Sequence, residues 1–383
     1  MWIGTRKGRP GIVRSEPLGL RKGMSQERIV LVTGVASHWG SRVAEGLLTE
    51  ATCHLIGLDA ERPAVENPRL SFVQADIRNP LLVDLFKAQN VDTVCHLAFT
   101  GTRRRSESAF DLNVMGTAKL MGACAAAGVR KVVLKSSMVV YGARATNSAF
   151  LSEEQRLLGS RRYGYVRDMV EVESFCRDFR RREPEMLLTI IRFPSIIGPT
   201  VNTRMTRFLK EPWAPSLLGF DPMMQIVHED DVVCALVHAV LNDLPGVYNV
   251  AAEGVMPLSK LRGLAGKPPM PVFHKFVYWG VALPGGTSRA LDRCLPIEPD
   301  YIRYPWVGDL SKMREEFGFE PSYTAEETLR EFVQRSNPER GWSGSARTAP
   351  ARNSQPELNV QPSQSDDPKP PAVSETGEGA AGV

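Results

Sequence analysis

The stretch Ile29 to Gly40, Ile-Val-Leu-Val-Thr-Gly-Val-Ala-Ser-His-Trp-Gly, constrains this chain more than any other. Ile29 to Val32 is a short, largely β-branched apolar run, the signature of a parallel strand buried on both faces. Thr33-Gly34 breaks the run, and Gly40 falls where a helix over residues 41–48 is predicted to begin. A glycine turn between strand and helix lets the backbone approach a pyrophosphate, and the helix N-terminus adds unpaired N–H groups and a partial positive charge. A second strand, His54 to Leu58, ends in Asp59, about twenty residues past the loop. An acid there accepts hydrogen bonds from an adenosine ribose and repels a 2′-phosphate, which favours NAD over NADP. Thr33, Gly34, Ser37, His38, Trp39, Gly40 and Asp59 are therefore candidate cofactor contacts, with His38 expected to be exposed. Ser37 stands where the pattern wants its middle glycine. Serine is small enough to let a phosphate close in, but it resists a positive φ if the loop needs one. The bland alternative is an ordinary strand-to-helix turn that binds nothing, and Asp59 in register argues against it.

Downstream, strands and helices alternate. Strands are predicted at Leu70 to Gln74, Thr93 to Ala98, Lys131 to Lys135, Leu187 to Arg192, Gln225 to His228 and Gly246 to Val250. Helices are predicted at Leu81 to Gln89, Asp111 to Ala127, Tyr165 to Arg181 and Glu229 to Leu241, the last opened by Asp230 or Asp231. This rhythm means βαβ units and a parallel sheet with ligands at the carboxyl ends of the strands. The expected fold class is α/β, a Rossmann-type doubly wound parallel sheet with a smaller C-terminal substrate-binding region. The expected division is a disordered basic tail over 1–27, an NAD-binding domain over 28–198 to which 225–252 returns, a substrate-binding region from 199–224 and 253–335, and a disordered tail over 336–383. Met24, just before the first strand, is the expected start of translation.

The 383 residues are 43% hydrophobic and 23% charged, ordinary globular values, and two structural regions suit that length. The net charge of +4 comes with no basic face interleaved with aromatics, so no nucleic-acid partner is expected. Arg103-Arg104-Arg105 reads as a solvated loop unless other residues converge on it to hold a phosphorylated substrate. Six scattered cysteines form no Cys-x-x-Cys pair, which gives no metal site, no disulfide framework, and an expected reducing, cytoplasmic setting. No signal peptide and no membrane span is read.

Several motifs in order resemble the extended short-chain dehydrogenase/reductase superfamily, specifically the NAD-dependent epimerase/dehydratase branch that includes UDP-glucose 4-epimerases. They are Thr33-Gly34…Gly40, Asp59, Asp76-Ile77, His96-Leu97-Ala98, Asn113 with Gly116-Thr117, Ser136 to Gly142, Ile191-Arg192-Phe193-Pro194…Gly198-Pro199 and His228 to Asp231. The resemblance covers Arg28 to Arg335. It implies that Asp76 and Ile77 flank the adenine, Leu97 and Ala98 line the cofactor backbone, and Pro194 and Ser195 meet the nicotinamide. Asn113 would support the active site and Ser137 would hydrogen-bond the reacting oxygen. The family's base is the tyrosine of Tyr-x-x-x-Lys, and Tyr163-Gly164-Tyr165-Val166-Arg167 occupies that place. Arg167 replaces the lysine. A nearby cation lowers a phenol's pKa from about 10, so arginine keeps part of that effect without the ammonium's point-donor geometry. Shifting the register to Tyr165 puts Met169 at the fourth position.

Plainer readings stand beside these. Tyr141 is expected to pack, His96 and His228 to be hydrogen-bonded structural histidines, and the aromatic run Phe273 to Leu283 to be a buried helix. Tyr301 to Trp306 would line the cleft, with Arg303 as the candidate substrate-phosphate contact. The leading expectation is reversible hydride transfer on a nucleotide sugar or other small hydroxyl substrate, with NAD as cofactor. The alternatives are a dehydrogenase of a hydrophobic, sterol-like alcohol, and a catalytically silent NAD-binding sensor or scaffold. The resemblance also suggests a homodimer through the helices of residues 111–127 and 165–181.

Overall fold

A computed structural model of the chain describes residues 28–49, 53–63, 67–102, 104–212, 214–282, 295 and 298–336. All of these fall in one compact unit that ends at Arg340. The tails, Met24, Arg103 and Leu283 lie outside the described residues.

Seven strands form a fully parallel sheet: β1 (Arg28–Thr33), β2 (Cys53–Asp59), β3 (Leu70–Gln74), β4 (Thr93–His96), β5 (Lys131–Ser137), β6 (Leu187–Phe193) and, last in the chain, Gly246–Asn249. Their spatial order places the last strand beside β6, then β5, β4, β1, β2 and β3. The order reverses between β1 and β4, and in open sheets of this kind the crevice at that switch point is where ligands bind. Helices α1 (His38–Leu48) and 229–241 cover one face; α2 (Leu82–Ala88), the helix 116–127 and the helix 164–182 cover the other. Burial on both faces explains why Val30 to Val32 and Val132 to Leu134 are continuously apolar.

Three helix expectations are corrected. The single helix expected over Asp111 to Ala127 begins earlier, as α3 (Glu107–Phe110), passes through a π-helical turn (Asp111–Met115), and continues as α4 (Gly116–Ala127). Ser106 starts it by accepting from Ala109 N at 3.2 Å. The wider turn brings Asn113 inward, fully buried, and such turns mark functional segments. The aromatic helix His274–Ala282 is not buried as expected: Val277 packs inward, but Phe276 and Trp279 are exposed. Neither Asp230 nor Asp231 caps the helix 229–241. His228 does, its Nδ1 accepting from Asp230 N at 3.1 Å, while Asp231 receives the backbone of Ser322 and Tyr323.

His96 is structural. Its ring is fully buried between Thr33 Oγ1 at 2.8 Å and Thr117 Oγ1 at 3.0 Å, and burial pushes its pKa down to about 3. Unfolded, it titrates near 6.5, so between the two values the unfolded chain binds the extra proton. The stabilisation is complete above 6.5 and is lost as pH falls toward 3. The loss at about pH 5 is about 2 kcal/mol. Urea unfolding at about pH 7.5 and about pH 5 checks this: the pH dependence shrinks by about that amount in His96→Asn. An unchanged dependence refutes it.

Candidate functional site

The glycine loop works differently from the concern raised over Ser37. The left-handed residue is Gly34, at φ 73°, while Ser37 has φ −76° and ψ 162°. Serine is therefore unstrained. It caps α1, its Oγ accepting from Gly40 N at 3.1 Å and donating to Gly34 O at 2.6 Å. Gly34 and Gly40 are required by close approach: a Cβ on Gly34 would lie 2.9 Å from Ala98 Cα, and one on Gly40 2.0 Å from Gly34 O. β1 and β4 thus meet backbone to backbone at the switch point. Thr33 Oγ1 fixes the contact by accepting from Leu97 N at 3.1 Å and Ala98 N at 3.4 Å. A cradle that only glycine permits, at the N-terminus of α1, fits a dinucleotide pyrophosphate. Asp59 stands at the expected place, its carboxylate accepting from Ala36 N at 2.9 Å and Glu61 N at 3.2 Å.

Other expected contacts are differently engaged. Asp76 is bonded by Arg78, whose guanidinium holds the carboxyl below its usual range and also reaches Asp111. Ile77 is buried against Gly116. His38 is half-buried and turns to Glu229, 3.3 Å away. Burial acts to raise the Glu229 pKa, but His38, Thr200 and Arg42 outweigh it and hold the carboxyl at about 2.

At the strand ends a cavity of about 380 Å³ is lined by Trp39, Leu97, Ser137, Tyr163, Pro194 and Ser195 together with Lys135, Tyr165 and Arg204. Of the sequence-derived residues for the nicotinamide end and for chemistry, Pro194, Ser195, Ser137 and Tyr163 therefore converge here. Ser137 Oγ donates to Phe193 O at 3.2 Å, which orients it at the end of β5. Tyr163 precedes α5 (Gly164–Arg182). Below them Tyr141 packs as expected: buried, its hydroxyl donates to Asn249 Oδ1 at 2.8 Å and accepts from Arg192 at 2.7 Å.

Arg167 is not among the residues lining this cavity. Its guanidinium bonds Asp168 at 2.9 Å and the Ser106 carbonyl at 3.3 Å, and lies 4.6 Å from the centroid of Phe110. Asp168 is itself fully buried and receives Asn113 Nδ2 at 2.9 Å. Asn113 also pairs with both backbone groups of Thr100. Asn113 thus braces the loop after β4 against α5, and Arg167 is an outer member of that brace. Met169, from the alternative register, is fully buried in the core.

A second cavity, of about 1060 Å³, adjoins the first at Tyr163. Arg104, Arg144, Arg161 and Arg162 line it, with Glu298 and Asp300 as the acids among its described lining residues. Arginines far apart in sequence converge there, which spacing alone could not reveal. Arg303 lies beside the larger cavity without lining it: its guanidinium sits 4.6 Å from Phe220, 4.9 Å from Tyr304 and 5.7 Å from Tyr278, and both tyrosines line that cavity. Among the described residues no helix is long and apolar enough to cross a membrane.

An uncharacterized protein of Mycobacterium tuberculosis is 32% identical to this chain over 319 residues, 80% of this chain and 84% of that one. UDP-glucose 4-epimerase 2 of Oryza sativa subsp. japonica is 30% identical over 190 residues, 45% of each. Among solved structures, UDP-glucose 4-epimerase of Thermotoga maritima with UDP-glucose superposes with a TM-score of 0.62 at 20% identity, over 81% of this chain and 99% of that one. A dTDP-glucose 4,6-dehydratase of Streptomyces venezuelae with NAD bound gives 0.63 at 22% identity, over 82% and 98%. At these identities the two solved structures share the fold. Residues 30–251 match the NAD dependent epimerase/dehydratase family, a span reaching from β1 past the last strand of the sheet and taking in the glycine loop and Ser137. On that ground the chain belongs to the NAD-dependent epimerase/dehydratase family.

Proposed function

We propose that this protein is an NAD-dependent enzyme that reversibly oxidises a hydroxyl of a nucleotide sugar. The observation that carries this reading is the junction of the two cavities. A pocket holding Ser137 and two tyrosines shares Tyr163 as a wall with one whose described lining carries four arginines and two acids. Arginine forks match phosphate oxygens, and the charge balance suits a diphosphate better than an apolar alcohol. The glycine cradle and Asp59 would hold the adenosine half of NAD, and Pro194 and Ser195 its nicotinamide end. NAD, when bound, supplies the acceptor and donor for hydride. Ser137 would orient the substrate hydroxyl, and a tyrosine at the start of α5 would exchange its proton.

Turnover of a panel of UDP-sugars by the purified protein with NAD tests the proposal. Conversion of at least one sugar is expected, falling by about 10²–10⁴ in Ser137→Ala. Conversion of no sugar by a protein that binds NAD overturns it and favours the silent NAD-binding alternative.

A further inference from the structure

The smaller cavity carries a charge that neither the cofactor nor a neutral sugar answers. Lys135, Arg204 and Arg207 line it, and its described lining contains no acid. The larger cavity, by contrast, sets Glu298 and Asp300 among its arginines. We propose that the sugar acted on is a uronic acid, whose carboxylate enters the smaller cavity and is held there by Arg204 and Arg207. The proposal rests on the nucleotide-sugar reading and names the class of sugar within it.

The three cations come from two separate elements. Lys135 stands two residues before Ser137 on β5, so both side chains leave the same face of the strand. Its Nζ lies 5.2 Å from the ring centroid of Trp39, which places this charge toward the glycine loop. Burial pushes its pKa down to about 8, so the amine is mostly charged at neutral pH. Arg204 and Arg207 belong to the helix Arg204–Lys210, where a spacing of three puts them on one face. Thr203 fixes the start of that helix: its Oγ1 accepts from Thr206 N at 3.1 Å, while Thr206 Oγ1 accepts from Thr203 N at 2.9 Å. Arg204 acts on the tyrosine side, since its charge opposes the rise that burial imposes on the Tyr165 phenol. Guanidinium groups stay protonated throughout the working pH range, so these two charges are permanent.

Cations gathered around one cavity whose lining offers no carboxylate repel one another, and a bound anion relieves that. NAD does not bring the anion to this place. Its phosphates belong at the glycine cradle, and the nicotinamide ring of its oxidised form is itself positive. The substrate's diphosphate is answered by the four arginines of the larger cavity. What remains is the sugar. A carboxylate on the ring that presents its hydroxyl to Ser137 would bring the missing charge into the cavity, and its two oxygens match a guanidinium fork. A sugar carrying only hydroxyls would leave the charge of Arg204 and Arg207 unanswered by the ligand.

Calorimetric titration of the protein with UDP, UDP-glucose, UDP-glucuronate, UDP-galactose and UDP-galacturonate tests this without relying on turnover. At least one uronate is expected to bind about tenfold or more tighter than its neutral counterpart. That ratio is expected to fall to near one when Arg204→Gln and Arg207→Gln are combined. Combining Arg204→Lys and Arg207→Lys should recover part of it, because the charge is kept and the fork is lost. Equal affinity for acid and neutral sugar in the wild type overturns the proposal. A preference that survives the double glutamine variant also overturns it, since the carboxylate would then be held elsewhere. If the double variant does not fold, the same ratio is read from each single glutamine variant. UDP-sugars bound without preference sink only the uronic acid, whereas a protein that binds neither UDP nor any UDP-sugar sinks the proposed function and this inference with it.

Discussion

Glu173→Ala is expected to lower the unfolding free energy by about 3–5 kcal/mol. Glu173, on α5, is buried and accepts from Arg192 Nε at 3.0 and 3.1 Å and from Ser136 Oγ. Arg192, on β6, is equally buried, and the carboxylate outweighs desolvation to hold its pKa above the ordinary arginine value. Truncating Glu173 strands that guanidinium. Its remaining partners, the Tyr141 hydroxyl and the Glu153 carbonyl at 3.0 Å, carry no charge to offset it. A surface ion pair costs well under this to break, because water replaces the partner. The effect also reaches the site, since Ser136 loses its acceptor next to Ser137. Urea unfolding of wild type and variant measures the difference. A loss below about 1 kcal/mol would mean that the Glu153 carboxylate swings over to take the charge.

How much of this was legible in the sequence depended on which physical signal each feature leaves. Strands buried on both faces leave an unbroken apolar run, so β1, β5 and β6 were readable to within a residue or two. The glycine loop was readable because Gly34 and Gly40 are demanded by contacts between neighbouring segments. The direction of a side chain leaves no such trace. The spacing from Tyr163 to Arg167 is right for the motif, but Arg167 is drawn aside by Asp168, a buried acid whose role needs Asn113 and Thr100 to be understood. The π-helical turn was invisible for a related reason: the apolar spacing of residues 111–127 fits one helix, whereas the structure caps it earlier, at Ser106.

Lys135 left a signal that was read for something else. A lysine inside Lys131 to Lys135 passes as the end of a buried strand, whereas its period-two relation to Ser137 puts it on the face that opens into the cleft. The arginine cavity was legible only as a condition on Arg103-Arg104-Arg105, because Arg144 and Arg161 join Arg104 from two other loops whose meeting is a product of the fold. Helix His274–Ala282 shows the converse failure. Apolar composition predicted burial, yet its Phe276 and Trp279 face outward.

The glycine loop carries the other large effect: Gly40→Ala is expected to destabilise the protein by at least about 3 kcal/mol and to abolish NAD binding in whatever fraction remains folded. Its Cβ would lie 2.0 Å from Gly34 O, 2.6 Å from Gly34 C and 2.7 Å from Val35 Cα. All three are backbone atoms, so no side chain can swing away; either α1 or the loop must move. Movement breaks the Ser37 cap and the Gly34 approach to Ala98 together, because Ser37 Oγ joins Gly40 N to Gly34 O. Gly34→Ala should be damaging for a second reason, a side chain forced to φ 73° as well as against Ala98. Gly122→Ala is the control. It is exposed in α4 with nothing within 4 Å of its Cβ, and should gain about 0.5–1 kcal/mol from helix propensity. Thermal or urea unfolding with NAD titration of all three variants separates the causes. Were Gly40→Ala to fold with wild-type stability and bind NAD normally, α1 would have to sit farther from β1 than the contact between Gly40 and Gly34 requires, and the pyrophosphate cradle would need to be placed elsewhere.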